Sequence, residues 1–487
     1  VSAGVFPPLG RILDWRAPFL LPLILLAASR VVAWLHLPLA SEDAYITFRF
    51  ARNVAVGNGM VFNPGERVMG FTSPLWTMWS ALGIRCIGDP VTWTRVTTIA
   101  TDAVALLVMG WLLARHASSM AAWCFTFFFA VWPYFPAVAV SGMENSLLVC
   151  LIAVGAACVE RRSILAGPVL AALALTRPEG IASAALLALA AGWRVRMIAL
   201  ALVVAGWGAI GAYFGSLVPQ SVAAKASIYG TPGPWAGRHW WEWMVPMALG
   251  RWPVTGEGTM LLPLTVLLAP AAFVGAIALW AKRGTALARA IAAFLVVWLG
   301  YASLGVAYFY WYMAVPLAGL AALAAVGFPR IVKGRAVYVA CVAVVLGTWS
   351  IARVLYVGRM QNEIYSFGDV AGHLARVSRA GEKVMLEPIG MIGYNCPLVV
   401  IDEVGLVSPS VARRRLQGPG WYTDVALAEK PDWLVIRAEV RTGLTGFAGA
   451  GAPFRNAAER DSVFARYERV EVPKARSTDL EVYKRVR

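Results

Sequence analysis

The feature that most narrows what this chain can become is a recurring block of about 20 apolar residues, the length a helix needs to cross a hydrocarbon core of roughly 30 Å. Such blocks run approximately over 17–36, 92–114, 118–138, 143–159, 163–176, 180–193, 197–216, 260–280, 286–305, 312–328 and 336–354. They predict about eleven transmembrane helices. Composition agrees, because 59% of the 487 residues are hydrophobic and 14% are charged, against roughly 25% charged in a soluble domain. A water-soluble fold cannot hide that much apolar surface. Many of the 21 tryptophans sit at block ends or between blocks, where indole favours the lipid–water boundary.

The net charge of +16 reports topology and anionic lipid rather than nucleic acid. Arg11 with Arg16, Arg115, Arg161 with Arg162, Arg194 with Arg196, Lys282 with Arg283, and Arg330 with Lys333 and Arg335 fall at every second boundary. Basic residues stay inside, so the amino terminus is predicted to be cytoplasmic and the carboxyl terminus extracytoplasmic, as in a multi-pass protein of a cytoplasmic membrane. Phe71–Gly88 is apolar enough to span, but a crossing there puts the preceding loop on the basic side; it is read as an interfacial or re-entrant helix. Pro38-Leu39-Ala40 is a poor cleavage site, so the first block is read as a span rather than a signal peptide. The six cysteines show no CxxC spacing, which argues against a disulfide framework or a zinc site.

Composition changes near residue 360. Val370–Val377 has helical spacing, while Lys383–Leu386, Leu398–Ile401 and Trp433–Ile436 read as short strands between Gly, Pro and Asp. The fold class expected is therefore an α-helical polytopic membrane unit over 1–358, its first outer loop at about 37–91, followed by a small extracytoplasmic α/β domain over 359–487. No internal repeat supports a transporter built from sequence-similar halves.

The chemistry-bearing residues gather in that first loop. Glu42 and Asp43 stand where the first helix leaves the membrane, followed by Arg49-Phe50-Ala51-Arg52-Asn53, Gly57-Asn58-Gly59 and Phe62-Asn63-Pro64-Gly65-Glu66-Arg67. Two readings stand: the acids cap a helix and the arginines snorkel to headgroups, or acid and cation serve one reaction centre. Elsewhere, Glu144 and Glu179 lie at the outer ends of short spans, where a carboxylate needs a partner or a watery cavity. Glu179 either pairs with Arg177 across a helix break or meets substrate. Asp102 lies inside a span, where it can bond a neighbouring helix. Lys225 reads as a headgroup contact or a phosphate ligand, His239 beside Arg238 as an interfacial or a phosphate-binding residue, and Tyr308, Tyr310 and Trp311 as belt aromatics or a sugar platform.

The first loop resembles that of the GT-C superfamily of membrane glycosyltransferases, especially the branch of mycobacterial arabinofuranosyltransferase B. That pattern is an acidic pair, an aromatic, Arg-x-x-Arg-Asn, Gly-x-Gly and Phe-Asn-x-Gly-Glu-Arg-Val; this chain departs from it in carrying Glu42-Asp43 where two aspartates are usual. Ser141-Gly142-Met143-Glu144, Thr176-Arg177-Pro178-Glu179-Gly180, Val218-Pro219-Gln220 with Ala224-Lys225, Gly390–Tyr394 and Asp402–Leu406 extend the likeness over most of the chain.

The resemblance implies an inverting glycosyltransferase that moves a pentose such as arabinofuranose, or a hexose such as mannose, from a polyprenyl monophosphate donor. The acceptor is then a cell-envelope glycan, lipid or protein. Asp43, with Glu42 second, is the expected base. Arg49, Arg52, Arg177, Lys225, Arg238 and His239 are the candidates to meet the donor phosphate, and Glu144, Glu179 and Tyr310 to touch substrate. No metal is expected to be required, although Glu42, Asp43 and Glu144 form a conceivable divalent-cation set. A transporter or flippase of lipid-linked sugar, or a non-catalytic assembly factor, is the alternative; the gathering of acids and non-topological arginines on one side disfavours transport.

Overall fold

The computed structural model describes residues 19–228, 258–304, 310–332, 334, 364–442, 451–473 and 480–486. Helices come first: α1 (Leu20–His36), α2 (Glu42–Ala55), α3 (Pro74–Ile87), α4 (Pro90–His116), α5 (Ser119–Val131), α6 (Tyr134–Ala139), α7 (Asn145–Glu160), α8 (Ala166–Thr176), α9 (Pro178–Ala188), α10 (Trp193–Phe214), α11 (Gln220–Ile228), α12 (Gly258–Trp280), α13 (Ala286–Leu304) and, after a 3-10 turn at Tyr310–Met313, α14 (Ala314–Ile331).

Among the described residues three segments are long and apolar enough to cross a membrane, Pro90–His116, Trp193–Phe214 and Trp311–Ile331. Two of them need different surroundings. The most apolar stretch of Trp311–Ile331 is 83% buried, but that of Trp193–Phe214 is only 6% buried. So many outward apolar side chains are stable only where the surroundings are themselves apolar. The shape of α3 suits the interfacial reading, since its 14 residues rise roughly 21 Å, short of the roughly 30 Å core.

The expected blocks differ in detail from the helices. The block 118–138 breaks where Trp132 turns extended before Pro133, because proline restricts the residue before it. The blocks 163–176 and 180–193 become α8 and α9, 11 residues each and roughly 17 Å long. They meet at Arg177, extended at φ −155° and ψ 153°, with Pro178 opening the second helix as its fixed φ favours. Close helix packing comes from small residues: a Cβ on Gly275 would lie 2.0 Å from the Leu323 carbonyl oxygen, and one on Gly327 would lie 1.8 Å from that of Ala271, so α12 and α14 approach at backbone distance. The block 336–354 lies outside the described residues.

The C-terminal part is an α/β unit. Helix α15 (364–377) leads into β1 (Lys383–Leu386), α16 (Ile389–Asn395), β2 (Val399–Asp402), α17 (Pro409–Arg415), α18 (Trp421–Glu429), β3 (Trp433–Arg437), α19 (Ala438–Thr442), α20 (Ala457–Phe464), β4 (Tyr467–Val470) and β5 (Leu480–Arg485). The sheet order is β2-β1-β3-β5-β4, with β1 parallel to β2 and β3 and β5 antiparallel to β3 and β4. Strand alternation sends Val384, Leu386 and Val400 into one apolar core and Met385, Ile401, Leu434 and Ile436 into a second, beneath α17, α18 and α20.

Candidate active site

The end of α1 is tied in place before the acidic pair begins. Buried Arg95 of α4 donates to the carbonyls of Leu37 (2.7 Å), Pro38 (3.1 Å), Leu39 (3.0 Å) and Val140 (2.8 Å). These orphan carbonyls where the chain leaves α1 need donors. The Ser41 amide then donates to the Ser141 carbonyl at 2.8 Å. Beside it Gly142, at φ +84°, leaves only 3.1 Å between a notional Cβ and Ala44 Cβ; the positive φ and this approach explain a glycine there. The Gly142 carbonyl accepts from Trp76 Nε1 at 3.0 Å.

The two carboxylates of the pair separate in role. Half-buried Glu42 accepts from the amides of Gly390 (2.5 Å) and Met391 (2.9 Å), at the amino end of α16, as a helix N-terminus favours. Gly390 permits this, since a Cβ there would stand 2.0 Å from the Glu42 carbonyl oxygen. Burial is the main cause that pushes the Glu42 carboxyl up to about 8; the two amides pull it down, and the Asp43 and Glu387 charges add to the rise. Asp43, also half-buried, has its carboxylate 3.8 Å from Lys225 Nζ. Lys225 lies on α11, whose first residue Gln220 donates its amide to the Met69 carbonyl (2.9 Å) and its Nε2 to the Gly405 carbonyl (3.0 Å). The first loop, α11 and the Asp402–Leu406 turn thus meet around one acid–cation pair. That turn is held by Asp402, which accepts from the amides of Val404 and Val407, and whose carboxyl burial pushes up to about 6.

The other predicted cations do different work. Arg49 is buried and donates to the carbonyls of Phe62 (2.8 Å), Gly393 (2.6 Å) and Leu398 (2.8 Å) and to Asn63 Oδ1 (3.1 Å). This corrects the expectation that it faces outward to a phosphate: its fork is occupied by protein acceptors, and it clamps the loop to the α/β unit. Asn63 completes the clamp by donating to the Val400 carbonyl at 2.8 Å and accepting from the Val400 amide at 3.0 Å, which satisfies edge strand β2 in the manner of a neighbouring strand. Arg52 lies over the Tyr394 ring, 4.7 Å from its centroid, and among the described residues makes no ion pair.

Glu144, Arg177 and Glu179 come together, the first two buried and Glu179 half-buried. Arg177 Nη1 donates to Glu144 at 2.5 Å and its Nε to Glu179; Glu179 also accepts from Tyr301, and Tyr312 stacks on Tyr301 with Arg177 over its ring. The cluster staples the α8–α9 break. One acceptor, Glu144 Oε2, is buried without a partner. Asp102 pairs with Arg30 at 2.9 Å, both buried, and Arg30 also donates to the carbonyls of Phe129 and Ala130. Arg30 and Arg95 were not singled out from the sequence; an arginine inside an apolar block is itself the signal that a partner must be sought. Arg238 and His239 lie outside the described residues, and Tyr310 is described only as the start of the 3-10 turn. Among the described residues no three His, Cys, Asp or Glu side chains group around a metal, so Glu42, Asp43 and Glu144 are not brought together.

Comparison with solved structures decides the fold. The chain superposes on ArnT from Cupriavidus metallidurans bound to undecaprenyl phosphate with a TM-score of 0.56 at 13% identity, covering 95% of this chain and 98% of that one. It superposes on the oligosaccharyltransferase AglB from Archaeoglobus fulgidus, in complex with an inhibitory peptide and a dolichol-phosphate, with a TM-score of 0.54 at 10% identity, covering 92% of this chain and 72% of that one. The fold is that of the GT-C glycosyltransferases. Residues 355–483 match a domain of unknown function, DUF8728, so the α/β unit has a counterpart recognisable by sequence. No curated protein sequence matches.

Proposed function

We propose that the chain is an inverting glycosyltransferase using a polyprenyl monophosphate-linked sugar, with Asp43 as general base and Lys225 as a cation for the departing phosphate. The observation that carries this reading is the half-buried Asp43–Lys225 pair at 3.8 Å, set where first loop, α11 and α/β unit meet in a GT-C fold. Asp43 takes the proton of the acceptor hydroxyl as its oxygen attacks the anomeric carbon. The bond from that carbon to the phosphate oxygen breaks, its electron pair leaves with the lipid phosphate, and attack from the opposite side inverts the centre. Lys225 meets the charge gathering on the phosphate, in a half-buried site. The solved ArnT structure holds undecaprenyl phosphate, which supports a lipid phosphate here.

On this reading the protein sits in a bacterial cytoplasmic membrane, its α/β unit (from about residue 359) on the outer side. The transferred sugar is a pentose such as arabinofuranose or a hexose such as mannose, the acceptor is an envelope glycan, lipid or protein, and no metal is required. Reconstitution in vesicles with polyprenyl-phosphate arabinose and polyprenyl-phosphate mannose tests it. Transfer to an envelope extract is expected with one donor and is unaffected by chelator; movement of intact lipid-linked sugar across the bilayer without transfer would overturn the proposal.

A further inference from the structure

Among the buried arginines, Arg95 is distinguished by what its bonds reach. It is 1% exposed, and its guanidinium serves two chain segments at once: the carbonyls of Leu37, Pro38 and Leu39, where α1 ends, and that of Val140, where α6 ends. It also lies over the Trp34 ring of α1, 5.4 Å from the centroid, and Thr98, on the next turn of α4, donates to the Ala139 carbonyl at 2.6 Å. One face of α4 thus binds the root of the first loop to the α6 corner. Just beyond both anchors the Ser41 amide meets the Ser141 carbonyl, and Asp43 follows in the first turn of α2.

Around Asp43 each neighbour is fixed. Ser41 is held by Ser141, Glu42 by the amides of Gly390 and Met391, and Ala44 lies against Gly142, yet the Asp43 carboxylate is half-buried and 3.8 Å from its cation. The backbone is placed while the reacting group is left open. Burying a guanidinium is costly, and carbonyls at a helix end can be satisfied by water or a hydroxyl instead. What an arginine adds is a planar fork whose donors fix several oxygens in one frame. A general base needs such a frame, since it acts only within hydrogen-bond reach of the acceptor proton, and a displacement of about 1 Å can cost about 10²-fold in rate.

We infer that Arg95 is a positioning residue for the transfer: it sets the start of α2 so that the Asp43 carboxylate meets the acceptor hydroxyl. The role of Asp43 rests on the proposed function; the tether itself does not. Arg95→Lys keeps the charge but replaces the fork with a single ammonium that cannot serve both segments. Arg30→Lys, at an arginine that bonds Asp102, Phe129 and Ala130 instead, is the control for a buried arginine away from the loop. Both variants are compared with wild type as full-length protein in nanodiscs, at a temperature where all three are folded by circular dichroism. Arg95→Lys is expected to lower kcat about 30-fold while affinity for undecaprenyl phosphate, titrated without acceptor, stays within about twofold of wild type. In Arg30→Lys both quantities are expected to stay within about twofold. An unchanged kcat in Arg95→Lys, a kcat that falls together with lipid affinity, or an equal loss in Arg30→Lys makes Arg95 structural and overturns the inference. Amide exchange over Ser41–Ala44 reads the tether without turnover. Faster exchange there in Arg95→Lys, in protein that transfers sugar from no donor, sustains the tether and removes the transferase; unchanged exchange overturns the tether whatever the rates.

Discussion

The charges within the helical bundle and those at the loop–helix junction are built on opposite plans. Arg30 and Asp102, and likewise Glu144, Arg177 and Glu179, are packed against one another, with carbonyls or tyrosines taking further bonds. Asp43 and Lys225 stand 3.8 Å apart and half-buried. Ions sealed at short range are costly to separate and therefore make structure. A looser pair at a junction can exchange its partner for a substrate. The difference teaches that a carboxylate's neighbours, more than its place in a motif, decide whether it is sealed into the fold or left free to exchange partners; Glu42, held by two backbone amides, and Asp43, beside Lys225, are adjacent in sequence yet differ in this way.

The sharpest way to break the comparison is Asp43→Asn, expected to lower transfer about 10²- to 10⁴-fold without shifting the thermal midpoint; an equal loss of midpoint would make Asp43 structural. For the sealed class, Arg30→Met is expected to cost about 3–5 kcal/mol, and the double variant Arg30→Met with Asp102→Leu to recover most of it, measured by denaturant unfolding in detergent. Lys225→Met is expected to reduce kcat about 10²-fold with stability unchanged; a drop in stability comparable to that of Arg30→Met would erase the distinction. The smallest effect is that of pH on Glu42. Its carboxyl holds a proton up to about 8 in the docked state against an ordinary 4.5, so the docked state binds more protons between these values. Its contribution to docking is complete below the lower value and is lost as pH rises through the upper one. Amide exchange at Gly390 and Met391, corrected for intrinsic rate, should quicken as pH rises from 4.5 to about 8 and level off above it, and Glu42→Gln should flatten that trend.

Much of this was legible in the residues. Apolar blocks marked most helices within a few positions, and the β-branched runs near Lys383, Val399 and Trp433 marked three strands. Strands β4 and β5 escaped because Tyr467–Val470 and Leu480–Arg485 are studded with charge, and their pairing comes from register with β3 rather than from composition. In the site, the motif singled out Asp43 and Lys225 but gave Arg49 the wrong task. Its acceptors include the carbonyls of Gly393 and Leu398, and a backbone oxygen so far along the chain leaves no trace in side-chain pattern. Asp102 and Arg30 were both visible, yet only packing says which helices face each other.

The bond between Asn63 and Val400 joins positions 337 residues apart. Ribosomes deliver the loop early and the strand that receives it late, so a polypeptide still emerging has its acidic pair but not the clamp around it. On the proposed function, competence for transfer therefore comes only after translation has passed β2.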